Sequence, residues 1–321
     1  MEYKKIIRCA LSLLALFAVS FYFIREFQKN WMNIHAFALN LDWRFVVLSF
    51  AAIAVTYLLA TYGWFLTVNA LSDRKITFSA SVATVNTGNL TKYIPGKVWS
   101  YAFQMYWLAD AGFSKSLILY VNLVNLYVAL ITSTILGLSY LIFSPAKFLG
   151  ALPPYLLAAF VLFDLWFIKF HAIFFKRFIS AFNRTFKREI GYYETPTRLL
   201  LRLHLINFTA AFFFGLGAYL LCFGIGFAVD RGTMLLIMSS MMIADVMGFV
   251  AVIVPGGLGV RESVMYLLLS GASSAALALI LPIATRIVSM IVDIFLGSIG
   301  FLLLRQYSMS KKTVTGRVGD K

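Results

Sequence analysis

Two Pro-Gly pairs interrupt hydrophobic sequence and carry cationic residues with them. The first segment reads Tyr93-Ile94-Pro95-Gly96-Lys97-Val98-Trp99, and the second reads Pro255-Gly256-Gly257-Leu258-Gly259-Val260-Arg261-Glu262. Proline cannot continue a helix, so each pair is expected to end one helix and precede the next. A helix N-terminus presents backbone N–H groups, which together with lysine and arginine suit an anionic ligand such as phosphate. The two segments therefore predict a binding site.

Ionisable side chains within apolar stretches extend this candidate site. Such groups are costly at membrane depth and are functional candidates by default. The candidates for binding an anionic headgroup are Lys92, Lys97, Arg261, Glu262, Arg286 and Asp245. A structural interpretation stays open beside this one. Arg261 could pair with Glu262 or Asp245, and such pairs would simply hold helices together. Arg286 could likewise pair with Asp293.

Glycine, proline and aromatic residues complete the candidate set. The helix-breaking positions, where glycine also permits close backbone approach to a ligand, are Pro95, Gly96, Pro255, Gly256, Gly257 and Gly259. Tyr93 and Trp99 bracket the first break and could stack on a sugar or an isoprenoid. They could equally be interfacial anchors, which Trp and Tyr commonly are. Asn122 and Asn125 are expected to form hydrogen bonds between helices rather than a site.

The sequence contains no recognisable catalytic constellation. It has no His/Cys/carboxylate cluster with metal-ligand spacing, no phosphate-binding Walker loop and no nucleophile elbow. We therefore predict that the protein is not an enzyme, and that it uses no metal and no cofactor.

Composition predicts an all-α, polytopic integral membrane bundle. The chain is 61% hydrophobic and 13% charged, with a mean hydropathy of +0.85. Apolar runs of about 20 residues are long enough to cross a hydrocarbon core of ~30 Å. Between six and eight membrane spans are predicted, in one domain over 1–304 followed by a basic cytoplasmic tail over 305–321. The predicted full spans are 6–24, 45–71, 116–143, 149–170, 199–227 and 283–304.

The remaining apolar stretches flank the two breaks. They are 77–94, 98–110, 233–254 and 262–281. If both pairs are re-entrant hairpins, the first enters from the cytoplasm and the second from outside. The two halves are then an inverted repeat, as in many transporters. In the alternative interpretation, 233–254 and 262–281 are full spans.

The net charge is +15, and the basic residues that cause it lie mainly in loops and tails beside the spans. Eight Lys and Arg residues in 169–202 predict a cytoplasmic location for this connection and for both termini, in the cell (inner) membrane. Within it, 172–190 has an apolar stripe with cations off that stripe, which predicts an amphipathic helix on the cytoplasmic lipid surface. Because the cations lie beside spans, membrane lipids and not nucleic acids are the expected partners.

The two segments resemble the signature motifs of the lysylphosphatidylglycerol synthase transmembrane-region family, also called flippase-like. The resemblance covers nearly the whole chain and implies a stand-alone form without the synthase domain. It implies movement or handling of an aminoacylated phospholipid or of a polyprenyl-phosphate-linked sugar. The positions that match its motifs are Lys92, Pro95, Gly96, Lys97, Pro255, Gly256, Gly257, Gly259, Arg261 and Glu262.

A lipid translocase is accordingly the predicted function. Its substrate would be an anionic phospholipid, an aminoacyl-phospholipid or a polyprenyl-phosphate-linked sugar. The alternative is a non-transporting subunit that presents lipid to a glycosyltransferase or a lipid-modifying synthase. A membrane-embedded transferase is a third hypothesis, which the lack of catalytic groups disfavours. A homo-oligomer is compatible with all three.

Overall fold

The computed structural model describes residues 41–93, 99–144, 150, 152–186, 190–251, 257, 259–271 and 273–316. These residues form nine α-helices and one short 3-10 helix, Thr91–Tyr93, and contain no strand. The α-helices are α1 Trp43–Leu71, α2 Phe78–Leu90, α3 Trp99–Asp110, α4 Lys115–Ile142, α5 Leu152–Phe186, α6 Thr197–Gly224, α7 Arg231–Val250, α8 Val260–Ser270 and α9 Ala275–Gly316. The all-helical prediction is confirmed.

Six of these helices are long and apolar enough to cross a membrane: α1, α4, α5, α6, α7 and α9. The predicted polytopic membrane bundle is therefore confirmed for the described residues. The first predicted span, near 6–24, lies outside them.

Three short helices flank the Pro-Gly segments. At 1.5 Å per residue, α2, α3 and α8 are about 20, 18 and 16 Å long, well short of a ~30 Å hydrocarbon core. The first segment lies between α2 and α3, whereas the second lies between the 20-residue α7 and the 11-residue α8. The re-entrant path and the inverted repeat stay predictions. The alternative with a single span over 262–281 does not hold, because α8 ends at Ser270 and α9 begins at Ala275.

Two helices run further than the sequence predicted. The predicted span 149–170 and most of the predicted amphipathic helix 172–190 form one continuous helix, α5, which has prolines only in its first turn. Likewise α9 continues through much of the predicted tail 305–321, as far as Gly316. In both places the sequence contains no glycine or proline that would stop the helix.

Close helix contacts at small residues set the positions of the elements. Ser49 of α1 donates a hydrogen bond to the Gly217 carbonyl of α6, with Oγ and O 2.7 Å apart. A Cβ on Gly300 of α9 would lie only 2.7 Å from Thr87 Oγ1 of α2. The second contact holds the end of α2 against α9, and this brings Lys92 beside Asp293.

Candidate functional site

A cavity of about 400 Å³ lies among the membrane-spanning and short helices. Among the residues that the structure describes, its charged lining residues are Lys92, Asp245, Arg261, Arg286 and Asp293. They come from the 3-10 turn after α2 and from α7, α8 and α9. Four of the six predicted headgroup-binding residues therefore line one cavity.

Lys92 forms an ion pair with Asp293 of α9. Its Nζ lies 2.8 Å from Oδ1 and 2.7 Å from Oδ2. The Asp293 side chain is only 1% exposed, so its charge depends on this pairing. Lys92 Nζ also lies 5.1 Å from the centre of the Tyr57 ring, a cation–π distance. Lys92 is thus fixed at the edge of the cavity by groups from α9 and α1.

Arg261, in the first turn of α8, pairs with Asp245 of α7. Arg261 Nη1 and Asp245 Oδ1 are 3.1 Å apart, and the guanidinium carbon lies 5.3 Å from the centre of the Phe214 ring. The Asp245 side chain is 49% exposed although it lies within a candidate span. Of the two partners that the sequence left open for Arg261, Asp245 is confirmed. Within the described part of the chain, cavity-lining residues form two salt bridges with each other, and the carboxylate of Arg261–Asp245 is more exposed than that of Lys92–Asp293.

Arg286 of α9 faces Glu262 of α8, with Nε and Oε1 3.9 Å apart. The sequence suggested Asp293 as a partner of Arg286, but the ion pair described for Arg286 is with Glu262, and Asp293 pairs with Lys92. The other Glu262 oxygen, Oε2, accepts a hydrogen bond of 2.7 Å from the Gly259 N–H. Glu262 therefore joins the turn before α8 to α9, and it is not among the described lining residues of the cavity.

The glycines of the second segment make a close backbone contact. Gly257 and Gly259 have φ angles of 68° and 81°, in the left-handed region that disfavours side chains. A Cβ on Gly257 would lie 2.8 Å from the Gly248 carbonyl oxygen of α7. At Gly257 the structure shows a close backbone approach to α7, and an approach of these glycines to a ligand stays a prediction.

Several predicted site residues lie outside the described residues. They are Pro95, Gly96, Lys97, Pro255 and Gly256, together with the side chain of Tyr93. Trp99 is exposed and is not among the described lining residues. The roles of these residues stay predictions.

Several uncharged polar residues of the cavity were not predicted to belong to a site. Gln104 of α3 and Asn207 of α6 line it, as do Asn122 and Asn125 of α4. Asn125 Nδ2 does donate to Thr67 Oγ1 of α1 at 3.0 Å, as expected of an interhelical bond. The sequence feature that could have identified these residues is an amide within an apolar run. Such amides are equally typical of places where helices pack together.

A second buried polar cluster joins α4, α5 and α6. Asp164 Oδ1 accepts a hydrogen bond of 3.0 Å from the Tyr127 hydroxyl and lies 3.1 Å from His204 Nε2. His204 Nδ1 lies 2.8 Å from the Leu200 carbonyl oxygen. Since a carbonyl only accepts, Nδ1 carries a proton, and one further proton must lie between Nε2 and Asp164. The cluster thus ties α5 to the bundle without a net charge on the histidine–aspartate pair.

Apolar helices long enough to cross a membrane, arranged around a charged cavity, define an integral membrane protein. The chain belongs to the lysylphosphatidylglycerol synthase TM region family, whose model matches residues 5–297. This match includes both Pro-Gly segments and all the charged residues of the cavity. The family is a membrane domain associated with lipid handling and is not catalytic in itself. No curated protein matches the chain at a significant level.

Proposed function

We propose that this protein is a lipid translocase that takes an anionic lipid headgroup into the charged cavity. The headgroup belongs to an anionic phospholipid, an aminoacyl-phospholipid or a polyprenyl-phosphate-linked sugar. One observation carries the proposal: Arg261 and a half-exposed Asp245 form an ion pair inside a cavity between candidate membrane spans. A bare phosphate in hydrocarbon is prohibitively costly, so a protein that moves one must neutralise it at this depth.

Exchange of ion-pair partners is the step that would admit the headgroup. A guanidinium binds phosphate through two parallel hydrogen bonds, which a single Asp245 oxygen at 3.1 Å does not replace. Phosphate would take the place of Asp245 on Arg261, and Lys92 would supply a second positive charge. Asp245 returns to Arg261 when the headgroup leaves, so the empty cavity is not left with a bare cation.

Three further statements belong to the same proposal. The protein acts without a catalytic step or a cofactor. It lies in the cell membrane, with both termini in the cytoplasm. Its partners are membrane lipids. A glycosyltransferase or lipid-modifying synthase is expected beside it if it presents lipid instead of moving it.

A reconstituted transport assay tests the proposal. Purified protein in liposomes with fluorescent phosphatidylglycerol should accelerate movement of the lipid between leaflets. The double variant Arg261→Gln/Asp245→Asn removes both charges of the pair and should slow this movement at least tenfold. Arg198→Gln, at the exposed start of α6, is the matched control and should transport normally.

Two outcomes would overturn parts of this proposal. Wild-type rates in the double variant would show that the Arg261 site does not bind the headgroup. Lipid binding without movement above empty liposomes, for every lipid class, would favour the lipid-presenting subunit.

A further inference from the structure

Two uncharged side chains of the cavity each have a buried polar atom for which the described part of the chain offers no hydrogen-bond partner. Gln104 and Trp64 line the cavity, and each is only 3% exposed. Within the part of the chain that the structure describes, Gln104 Oε1 and Trp64 Nε1 have no hydrogen-bond partner. A buried polar atom without a partner destabilises the folded protein, because it has lost its hydrogen bonds to water. Gln104 Oε1 is an acceptor and Trp64 Nε1 is a donor. The two atoms therefore indicate a ligand that provides a hydrogen-bond donor to the first and an acceptor to the second.

Three asparagines of the same cavity have fixed orientations. Each donates its amide N–H to the backbone carbonyl four residues earlier: Asn122 to Ile118 at 2.9 Å, Asn125 to Val121 at 2.9 Å, and Asn207 to Leu203 at 2.8 Å. A carbonyl can only accept, so the amide nitrogen must face it. In each case the side-chain oxygen is turned away from that carbonyl. The lining is consequently rich in uncharged acceptors.

From these residues we infer a hydroxyl-binding subsite beside the anion site, which makes the ligand a phosphate-linked polyol. This inference rests on the proposed function, because it assigns the chemistry next to the bound phosphate. Glycerol and sugar headgroups share that chemistry. The oxygens of Gln104 and the asparagines accept from the hydroxyls, and Trp64 Nε1 donates to one of them. The cavity, about 400 Å³, falls within the range of about 300–1,000 Å³ that is usual for small-molecule sites.

An ammonium headgroup fits the same residues less well. A compact cation is best bound by several carboxylates, but Asp293 pairs with Lys92, and among the described lining residues only Asp245, displaced from Arg261 by the phosphate, would be left to contact it. The uncharged acceptors instead come from three different helices, α3, α4 and α6. Acceptors that are distributed in this way suit several separate hydroxyl groups.

Soluble headgroup probes test the subsite in detergent-purified protein. Glycerol 1-phosphate and ethyl phosphate carry the same phosphate group, but only the first has free hydroxyls. Binding is followed by the shift in unfolding temperature and by intrinsic tryptophan fluorescence. We expect wild-type protein to bind glycerol 1-phosphate at least tenfold more tightly. Gln104→Leu should reduce this preference to within threefold and leave ethyl phosphate binding unchanged.

The controls separate this inference from the proposed function. Gln306→Leu, at an exposed position of α9, should keep the preference. Gln104→Leu should also fold at least as stably as wild type, because it removes a buried acceptor without a partner; Asn207→Leu provides a second variant. Equal binding of the two probes, or tighter binding of phosphoethanolamine, overturns the hydroxyl subsite and leaves the anion site standing. Failure of every phosphate probe to bind overturns the anion site and the subsite together.

Discussion

At the scale of single residues, the Lys92–Asp293 pair links the candidate site to stability. Lys92→Met would remove the ion pair with the buried Asp293 carboxylate, and breaking such pairs typically costs about 3–5 kcal/mol. The double variant Lys92→Met/Asp293→Leu removes both charges and should recover most of the lost stability, but not transport. Thermal unfolding in detergent measures the first effect and the liposome assay the second. Lys115→Met, at the exposed start of α4, is the matched control. A double variant as unstable as the single one would contradict this account.

Asp245 competes with the headgroup for Arg261 in the same proposal. Asp245→Asn removes the negative charge 3.1 Å from the guanidinium, so anion binding should become at least fivefold tighter. Titration of purified protein with ethyl phosphate measures the change. Asp110→Asn, at the exposed end of α3, should leave the affinity unchanged. Weaker binding in Asp245→Asn would mean that Asp245 positions Arg261 rather than competing for it.

Charged residues of the site were predictable, but among their partners only Asp245 was suggested by the sequence, as one of two candidates for Arg261. Arg261 and Asp245 stand out in the sequence because charge is costly at membrane depth. Lys92 and Asp293 are 201 positions apart, and only the packing of α2 on α9 brings them together. Amides such as Gln104 are only moderately polar, so nothing in the sequence separates a ligand-binding amide from one that packs helices.

At the scale of elements, Gly257 fixes the turn before α8 against α7. Gly257→Ala would place Cβ 2.8 Å from the Gly248 carbonyl oxygen, at a φ of 68°. Gly150 has a comparable φ of 56°, and no described atom lies within 4 Å of the position of its Cβ. Gly150→Ala should therefore cost only the left-handed strain, about 1–2 kcal/mol. Gly257→Ala should cost more and should also weaken anion binding at Arg261. Equal unfolding temperatures for the two variants would refute the backbone contact.

The N-terminus of α7 depends on Asp230. Asp230 Oδ1 accepts a hydrogen bond of 3.0 Å from the Thr233 N–H. Hydrogen bonds from the Thr233 side chain and backbone hold the pKa of Asp230 below its usual range. A lowered pKa stabilises the fold above the usual aspartate value, about pH 4, and this contribution is lost as the pH falls further.

Substitution of Asp230 should reveal that contribution. Asp230→Ala should lower the unfolding temperature at neutral pH, whereas Asp230→Asn keeps an acceptor for the Thr233 N–H and should lower it less. The difference between wild type and Asp230→Ala should shrink below about pH 4. Asp73→Ala, at an exposed position, is the control. A difference that does not depend on pH would rule out the carboxylate as its source.

Element boundaries show which sequence signals were informative. The end of α8 at Ser270 was not predicted, although Gly271 follows it and Ser274 Oγ accepts from the Leu277 N–H at 3.2 Å. These are ordinary stop and start signals, which the hydrophobicity of 262–281 obscured. In α5 the error was the reverse, because the sequence predicted two helices where the structure has one. The pattern of α5 changes from uniformly apolar to amphipathic near 171, but a change of environment does not require a change of backbone.

At the scale of the whole molecule, the charge distribution predicts the topology. The connection after α5 is rich in Lys and Arg, whereas the α6–α7 connection has only Arg231, balanced by Asp230. In a Cys9→Ser background, Ala228→Cys should react with a membrane-impermeant thiol reagent on intact cells. Glu194→Cys should react only after permeabilisation. The reverse pattern would invert the proposed orientation.

The pairing of charges around the cavity has an electrical consequence. Among the described residues, three cations, Lys92, Arg261 and Arg286, face three carboxylates, Asp293, Asp245 and Glu262, so these three pairs together have no net formal charge. As far as these pairs are concerned, an empty translocase would change conformation without moving net charge through the field, and the membrane voltage would act on the lipid. A singly charged headgroup that crosses the whole field gains about 2.3 kcal/mol per 100 mV. With a negative cell interior, the resting potential would by itself favour export of an anionic lipid, with no need for nucleotide hydrolysis.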